Sequence, residues 1–202
     1  MQQYLDVIRR VLDTGQRKNN RTGVDTLSTF NVNYQIDLRE GFPLLTTKEI
    51  SWKNIVVENL WFLSGDTRID LLRKHGCKFW EPWADEDGLV PSAYGNFWRN
   101  YPVHTDGEAT FNDQIRYVIN ELKQNPQSRR LVVSAWAPGN AQTSALPPCH
   151  AFWVMNVQQD ANGAPILCLH LTQRSCDIAL GLPYNIAGYA FLLELMARFT
   201  GI

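Results

Sequence analysis

The amino-acid sequence predicts an α/β protein of the α+β type, organised as a single domain over residues 1–202. Two kinds of apolar pattern support this class, because segments with the helical period and segments with the strand period both occur along the chain. A chain of 202 residues is long enough to bury a large core within one domain.

Four stretches of the chain place apolar residues at helical spacing. Residues 1–12 predict an amphipathic helix, residues 50–63 a strongly apolar helix and residues 111–122 a third helix. Asn185 begins the last helix. The second helix carries one acid, Glu58, in its middle. Because an ionised carboxylate alone in apolar surroundings is costly, Glu58 should be exposed, paired or functional.

Strands are predicted in three regions. Apolar residues alternate over residues 30–38, which predicts a strand with one buried face. Residues 131–136 predict a short buried strand. The apolar run after Cys149 extends to residue 158, turns through residues 160–163 and returns at residues 166–171, which predicts a β-hairpin.

Two stretches mix aromatic rings with acids, proline and glycine and are predicted to be loops. Residues 79–88 carry Trp80 and Trp83, and residues 92–99 carry Tyr94. Clustered rings outside regular structure could form a stacking wall for a ligand, or could pack beneath the loops as part of the core.

Composition excludes several classes of protein. The formal net charge of −1 argues against a general binder of nucleic acid or anionic membranes. No apolar run approaches the roughly 20 residues that span a bilayer, and the N-terminus lacks the order of a signal peptide, so we expect a cytoplasmic protein. The cysteines form no Cys-x-x-Cys pair, which indicates reduced thiols rather than a disulfide frame or a zinc site.

Cys149 is a candidate nucleophile. It follows Pro147 and Pro148, which fix the backbone φ and predict a stiff, extended approach to the next strand. A thiolate is favoured in an electropositive and partly open setting. The alternative is that Cys149 is a small buried residue of the core, as most free cysteines are. His150 is adjacent, but adjacency alone does not make it a general base.

Arginines cluster in polar segments that could bind an anion. Arg21 lies in the basic stretch 16–23, Arg129 and Arg130 precede a strand, and Arg174 follows the hairpin. Each of these side chains could simply be solvated. Guanidinium groups from several loops could also bind one small dianion without making the whole protein basic.

These residues occur within a set of motifs that runs through almost the whole chain. The set resembles the thymidylate synthase family, and it comprises Asn20-Arg-Thr-Gly23, Gly41-Phe-Pro43, Thr46-Thr-Lys48, Glu58-Asn-Leu-Trp-Phe-Leu63, Trp80, Trp83-Ala-Asp85, Tyr94-Gly95, Ser128-Arg-Arg130, Val133-Ser-Ala-Trp136, Pro147-Pro-Cys-His-Ala-Phe152, Gln173-Arg-Ser-Cys-Asp177 and Gly181-Leu-Pro-Tyr-Asn185. The motifs follow in the expected order, and their joint presence is more specific than any one of them.

The resemblance implies a large, mixed, twisted sheet packed against several helices. It also implies that the chain transfers and reduces the methylene group of 5,10-methylenetetrahydrofolate onto C5 of dUMP, giving dTMP and dihydrofolate without a metal. Cys149 would add to C6 of the base and make C5 nucleophilic. Arg174 would lower the pKa of that thiol and hold the substrate phosphate.

The resemblance assigns the remaining substrate contacts as well. Arg21, Gln173 and Ser175 would complete the dUMP site, together with Arg129 and Arg130 from the second subunit of a homodimer. No nucleic acid or membrane partner is implied.

Asn185 would read the base, because its amide can donate to a ring carbonyl and accept from a ring N–H, as uracil requires. Glu58 would relay protons through water, and Tyr94 would assist removal of the C5 proton. Trp80 and Trp83 would border the folate pocket. Asp177 would hydrogen-bond the pterin and serve among the catalytic residues.

The chain departs from the family pattern at Pro91-Ser-Ala93, Val154, Thr172 and Gly188. Such changes leave open a dUMP hydroxymethylase, which would release 5-hydroxymethyl-dUMP and tetrahydrofolate. Trp80, whose ring would shield the methylene group, favours the methylating reaction.

A second departure concerns the end of the chain. Family members continue past Ile202 with a His-x-Tyr motif and a closing tail, so we expect 202 residues alone to turn over weakly or not at all. A non-catalytic nucleotide-binding module and a Cys-His hydrolase are the further alternatives.

Overall fold

The computed structural model describes residues 1–20, 23–105, 107–141 and 144–202. Within these ranges the α-helices are α1 (Gln2–Thr14), α2 (Trp52–Ser64), α3 (Asp70–Lys74), α4 (Tyr94–Arg99), α5 (Gln114–Gln124) and α6 (Leu182–Thr200), with single 3-10 turns at Leu38–Glu40, Glu81–Trp83 and Pro138–Asn140. The four predicted helices correspond to α1, α2, α5 and α6. Their bounds differ at two ends, since Phe111 lies in a strand before α5 and α6 begins at Leu182 rather than at Asn185.

The described strands are all antiparallel. They are β1 (Gln16–Lys18) with β2 (Thr26–Ser28), β3 (Tyr101–Thr105) with β4 (Glu108–Asn112), and a sheet of β5 (Val132–Ser134), β6 (His150–Gln159) and β7 (Pro165–Gln173) in that spatial order. The predicted hairpin is β6–β7, with Val154 opposite His170. The α+β class is confirmed. The largest described sheet is nevertheless three-stranded and antiparallel, smaller and less mixed than the resemblance implies.

The prediction of a strand over residues 30–38 is wrong. Only Thr26–Ser28 pair as a strand, residues 31–37 have no assigned regular structure, and a 3-10 turn follows at Leu38–Glu40. Phe30 is 93% exposed, although Val32 and Ile36 pack on a small apolar cluster. Alternation of apolar residues describes the faces of a segment, but pairing also needs a neighbouring strand, which the described residues do not supply here.

The second predicted aromatic loop is instead helix α4. Tyr94, Phe97 and Trp98 are buried on one face of it, at the spacing that joins adjacent turns of a helix. Gly95 lets this helix approach α2 closely, because a Cβ at that position would lie 2.4 Å from the Phe62 carbonyl oxygen. Tight contact between α2 and α4 therefore overrides the loop-like composition of the segment.

The main core lies between the three-stranded sheet and helices α2, α4, α5 and α6. Trp61, Trp98 and Trp153 are almost fully buried there, and the rings of Trp98 and Trp153 meet edge to face at 5.7 Å. Gln114 of α5 joins helix to sheet, since its Nε2 donates to the Ser134 carbonyl at 2.7 Å and its Oε1 accepts from the Ser134 N–H at 2.8 Å.

Within the part of the chain that the structure describes, none of the helices is both long enough and apolar enough to cross a membrane.

Substitution of Gly95 tests the contact between α2 and α4. We expect Gly95→Ala to lower the free energy of unfolding by about 1–3 kcal/mol, because the new methyl group overlaps the Phe62 backbone. Gly139→Ala is the matched control. Nothing lies within 4 Å of a Cβ at Gly139, so its effect should stay within about 0.5 kcal/mol. Urea denaturation of both variants measures the difference, and equal stabilities would contradict the packing described.

Candidate active site

Cys149 directly precedes β6, at the open end of the β6–β7 hairpin, and it is partly buried. Its backbone is held on both sides, since its N–H donates to the Tyr94 hydroxyl at 3.1 Å and its carbonyl accepts from the Arg174 N–H at 2.9 Å. The register of β6 and β7 shifts between His150 and Phe152, which leaves Ala151 as a bulge. Bulges of this kind redirect side chains beside functional sites.

Arg174 is next to Cys149 because His150 pairs with Gln173 across the hairpin. Its Nε donates to the Pro148 carbonyl at 2.9 Å and its Nη2 donates to the Pro147 carbonyl at 2.6 Å. The guanidinium carbon also lies 5.7 Å from the centre of the Trp136 ring. Arg174 therefore fixes the Pro-Pro segment that presents the thiol, and its exposed side chain remains accessible to an anion.

The other thiols provide a comparison for Cys149. Burial raises the pKa of Cys77, which is 1% exposed. Burial, with the neighbouring charges of Asp177 and Cys149, raises the pKa of Cys176 to about 12. Both thiols are thus held in the protonated, weakly nucleophilic form at neutral pH.

Tyr94 and His150 form a stacked pair beside the Cys149 backbone. Their ring centres are 4.6 Å apart and their planes differ by 4°. The Tyr94 hydroxyl accepts the N–H groups of Cys149 and His150 at 3.1 and 3.4 Å. Burial, followed by the neighbouring Cys149, raises the pKa of Tyr94, so its hydroxyl stays neutral at physiological pH.

His150 is 8% exposed, and burial lowers its pKa to about 4. The Tyr189 hydroxyl lies 3.2 Å from its Nδ1, and the Asn185 side chain raises the imidazole pKa in partial opposition to burial. The imidazole is therefore neutral at physiological pH. Its described polar neighbours are Tyr189 and Asn185 rather than the Cys149 thiol, which argues against a Cys-His hydrolase.

Glu58 lies on α2, partly buried, with its Oε1 accepting from the Trp80 Nε1–H at 2.7 Å. Burial raises its pKa to about 7, and the hydrogen bond from Trp80 opposes that shift. A carboxyl group with this pKa exchanges a proton near neutral pH, which is the property required of a general acid or base.

Asn185 and Gln173 meet beside this cluster. The Asn185 Oδ1 accepts from the Gln173 Nε2 at 3.0 Å, and the Cys176 sulfur lies 3.8 Å from the same oxygen. Asn185 is in the first turns of α6, whereas Gln173 ends β7. The amide predicted to read a base thus lies next to the hairpin that carries Cys149.

Asp177 and Ser175 are exposed in the loop between β7 and α6. The Asp177 Oδ1 accepts the N–H groups of Ala179 and Leu180 at 2.9 and 2.8 Å. Its carboxylate therefore shapes the loop before α6. Trp80 is 6% exposed, so it belongs to the core as well as to the site, and Trp83 packs partly buried against that core.

Only some of the residues predicted to bind the substrate phosphate lie near Cys149 in the structure. Arg129 and Arg130 are exposed beside a surface hollow of about 520 Å³, which they line with Tyr117, Glu121, Asn125, Gln127 and Ser128. Their described contacts are local to α5 and β5 rather than to the Cys149 cluster. Arg21 lies outside the described residues. No group of three or more His, Cys, Asp or Glu side chains is placed to share a metal ion within the described ranges.

Tyr189 is the site residue that sequence reasoning missed. It stands four positions after Asn185, so both side chains occupy one face of α6. The spacing of four residues from Asn185 was the sequence feature that could have identified Tyr189 as a site residue. The contact with His150 joins residues 39 positions apart, and local periodicity gives no information about it.

The fold and this cluster define an α+β protein in which Cys149 lies near an exposed arginine, Arg174, and near buried hydrogen-bonding side chains, Tyr94 and His150, that are neutral at physiological pH. The sequence model of the family described as thymidylate synthase matches residues 2–202. A curated thymidylate synthase from Haloferax volcanii is 48% identical over 215 aligned positions, covering 97% of this chain and 61% of that relative. The chain thus spans less than two thirds of the relative's length, and it belongs to the thymidylate synthase family.

The pKa of Glu58 makes stability depend on pH. The folded protein keeps Glu58 protonated to about pH 7, whereas the unfolded chain releases that proton near 4.5. The folded state therefore binds more protons in this window, and stability falls as pH rises. We expect this penalty, on the order of 3 kcal/mol by pH 7, to be absent in Glu58→Gln.

Urea denaturation at several pH values measures this effect as the difference between the wild type and Glu58→Gln. Glu86→Gln, which alters an exposed carboxylate, is the matched control and should follow the wild-type curve. A difference between wild type and Glu58→Gln that stays constant from pH 4 to 8 would contradict the assigned pKa.

Proposed function

We propose that this protein is a thymidylate synthase, which transfers and reduces the methylene group of 5,10-methylenetetrahydrofolate onto C5 of dUMP. One observation carries the proposal. Cys149 is partly buried, and its backbone is hydrogen-bonded to Tyr94 and to Arg174, in a chain that matches the family over residues 2–202. The products are dTMP and dihydrofolate.

Cys149 is the nucleophile in this proposal. Its thiolate forms a bond to C6 of the uracil, and the C5–C6 π electrons move to give an enolate whose C5 is electron-rich. C5 then bonds to the methylene carbon as the bond from that carbon to N10 of the folate breaks. Loss of the C5 proton breaks the bond to N5 and leaves an exocyclic methylene group on the base. Hydride from the tetrahydrofolate adds to this methylene group to give the methyl group, the cysteine thiolate leaves C6, and the folate is oxidised to dihydrofolate. The raised pKa values of Cys77 and Cys176 support the choice of Cys149 among the buried and partly buried thiols.

Arg174 and Ser175 hold the substrate phosphate, with Arg21 as a further donor. The accessible guanidinium of Arg174 supports this role, because a dianion can exchange for the carbonyls of Pro147 and Pro148 as its hydrogen-bond partner. Phosphate binding would thereby act on the same segment that presents Cys149.

Asn185 selects uracil, and Gln173 orients its amide. The Gln173 Nε2 donates to the Asn185 oxygen, which supports a fixed amide orientation rather than a freely rotating one. Uracil offers a carbonyl to the amide N–H and an N–H to the amide oxygen. Cytosine reverses this pattern and would leave polar groups unpaired.

Glu58 and Tyr94 transfer protons to and from the uracil ring. A Glu58 pKa of about 7 supports proton exchange at physiological pH, and the neutral Tyr94 hydroxyl borders the Cys149 backbone. Trp80 holds Glu58 and, with Trp83 and Asp177, borders the folate pocket.

The methylating reaction is favoured over a dUMP hydroxymethylase. The relative at 48% identity is a thymidylate synthase. Trp80 is also held in place, by its bond to Glu58 and by ring contacts at 5.2 Å to Trp61 and 5.8 Å to Phe62. A fixed indole can keep water from the exocyclic carbon until hydride arrives.

Mass analysis of the nucleotide tests this proposal. Incubation of the protein with dUMP and methylenetetrahydrofolate should yield a base that carries a new methyl group, together with dihydrofolate. Because the measurement identifies a product rather than a rate, weak turnover is sufficient. A hydroxymethyl base with tetrahydrofolate would replace the proposal by the hydroxymethylase, and dUMP binding without product would favour a non-catalytic module.

We also propose that Arg129 and Arg130 complete the phosphate site of the second subunit in a homodimer. Both side chains are exposed on a hollow whose lining includes none of the residues around Cys149, which supports a role towards another chain. Each protomer would form one domain over residues 1–202. A cytoplasmic location agrees with its free cysteines, Cys77, Cys149, Cys168 and Cys176.

Subunit mixing tests the shared site. Cys149→Ser and the double variant Arg129→Ala/Arg130→Ala should each be inactive alone. Equal amounts that exchange subunits should recover about a quarter of wild-type activity, because half of the dimers are mixed and each contains one intact site. A mixture of two Cys149→Ser preparations is the control. Mixed dimers seen by native mass spectrometry without recovered activity would contradict the proposal.

A further inference from the structure

The 3-10 turn Glu81–Trp83 connects the two tryptophans that are proposed to border the folate pocket, since Trp80 precedes it and Trp83 ends it. The Trp83 N–H donates to the Trp80 carbonyl at 3.1 Å, and the Ala84 N–H donates to the Glu81 carbonyl at 3.4 Å. Hydrogen bonds of the 3-10 type have poor geometry, and a single turn gains little from them. Contacts from outside the turn therefore matter for its position.

The two tryptophans are held to different degrees. Trp80 is anchored in the core by its bond to Glu58 and by its ring contacts with Trp61 and Phe62. Trp83 is only partly buried at the edge of that core. Its ring leaves the backbone at the end of the turn, so the geometry of the turn decides where the ring points.

Arg73 of α3 binds the first residue of this turn through two parallel hydrogen bonds. Its Nε donates to the Glu81 Oε1 and its Nη2 donates to the Glu81 Oε2, each at 2.9 Å. Its remaining nitrogen, Nη1, lies against Gly88, where an added Cβ would be 2.8 Å from it. The hydrogen bond from Arg73 lowers the pKa of Glu81, so the carboxylate is ionised at physiological pH. The guanidinium is thus enclosed between Glu81 and Gly88.

The backbone that carries Arg73 is itself well anchored. Leu72 beside it is fully buried, and the Arg73 N–H donates to the Ile69 carbonyl at 2.9 Å. The Ile69 N–H in turn donates to the Gly88 carbonyl at 3.0 Å. Exposed ion pairs are usually weak, but a bidentate arginine–carboxylate pair on a fixed backbone is the favourable case.

We propose that Arg73 is a positioning residue for folate binding, because its bidentate pair with Glu81 fixes the turn that carries Trp83. This inference rests on the proposed place of Trp80 and Trp83 at the folate pocket. Arg73 acts through Glu81 and need not touch the folate itself. The residues proposed to bind dUMP lie on other segments, so nucleotide binding should not depend on Arg73.

Arg73→Gln removes the charge and the paired donors of this side chain. Calorimetry with saturating dUMP should show that the affinity for tetrahydrofolate, which has no methylene group to transfer, falls about threefold to fivefold. The affinity for dUMP alone should stay unchanged. Arg68→Gln is the matched control, since it breaks a similarly exposed pair with Asp70 at 2.8 Å that does not involve the turn, and it should keep both wild-type affinities.

A double-mutant cycle shows whether the effect passes through the ion pair. Glu81→Gln should weaken tetrahydrofolate binding as much as Arg73→Gln does. The double variant should bind no more weakly than either single variant, because one substitution already removes the pair. Additive losses would overturn the inference. Equal weakening of tetrahydrofolate and dUMP would also overturn it, since that result indicates a merely structural role.

Amide hydrogen exchange tests the turn without any ligand. The N–H groups of Trp83 and Ala84, which close the turn, should exchange faster in Arg73→Gln and at the wild-type rate in Arg68→Gln. Unchanged exchange in Arg73→Gln would overturn the inference and leave the proposed function intact. A wild-type protein that binds dUMP but no tetrahydrofolate would instead contradict the proposed folate pocket, and the inference with it.

Discussion

One backbone hydrogen bond, from the Arg174 N–H to the Cys149 carbonyl, closes the hairpin at the centre of this site. It continues the β6–β7 ladder beyond the pairing of His150 with Gln173. The ladder brings a thiol and a guanidinium, 25 positions apart in sequence, to one edge of the sheet. The bulge at Ala151 and the two prolines before Cys149 then constrain the backbone on both sides of this cysteine.

Burial divides the site into two electrostatic regions. At the wall formed by Glu58, Tyr94, His150 and Tyr189, burial is the first cause of each pKa shift, and every shift favours the neutral form. At the edge, Arg174 is exposed and remains cationic. A neutral, hydrogen-bonding base with an attached phosphate matches this division. The low net charge of the chain is consistent with such a local arrangement.

Most helices and the hairpin could be predicted from sequence because their apolar spacing is local. The absence of a strand over residues 30–38 could not be predicted, since pairing depends on a partner strand elsewhere in the chain. Helix α4 could not be predicted either, since Gly95 acts only through its contact with Phe62. In the site, Cys149 directly precedes one strand of the predicted hairpin and Arg174 directly follows the other. The hairpin was therefore the only feature of the sequence that predicted their proximity. The bonds from Arg174 to the proline carbonyls depend on the folded geometry of that corner.

Covalent trapping measures the central claim most directly. In 5-fluoro-dUMP, fluorine replaces the proton that must leave C5, so a thiolate that attacks C6 in the presence of methylenetetrahydrofolate stays bonded to the nucleotide. Digestion and mass spectrometry should find the nucleotide and folate together on the peptide that contains Cys149, and no adduct in Cys149→Ser. An adduct on Cys176, or tight nucleotide binding with every cysteine unmodified, would contradict the account.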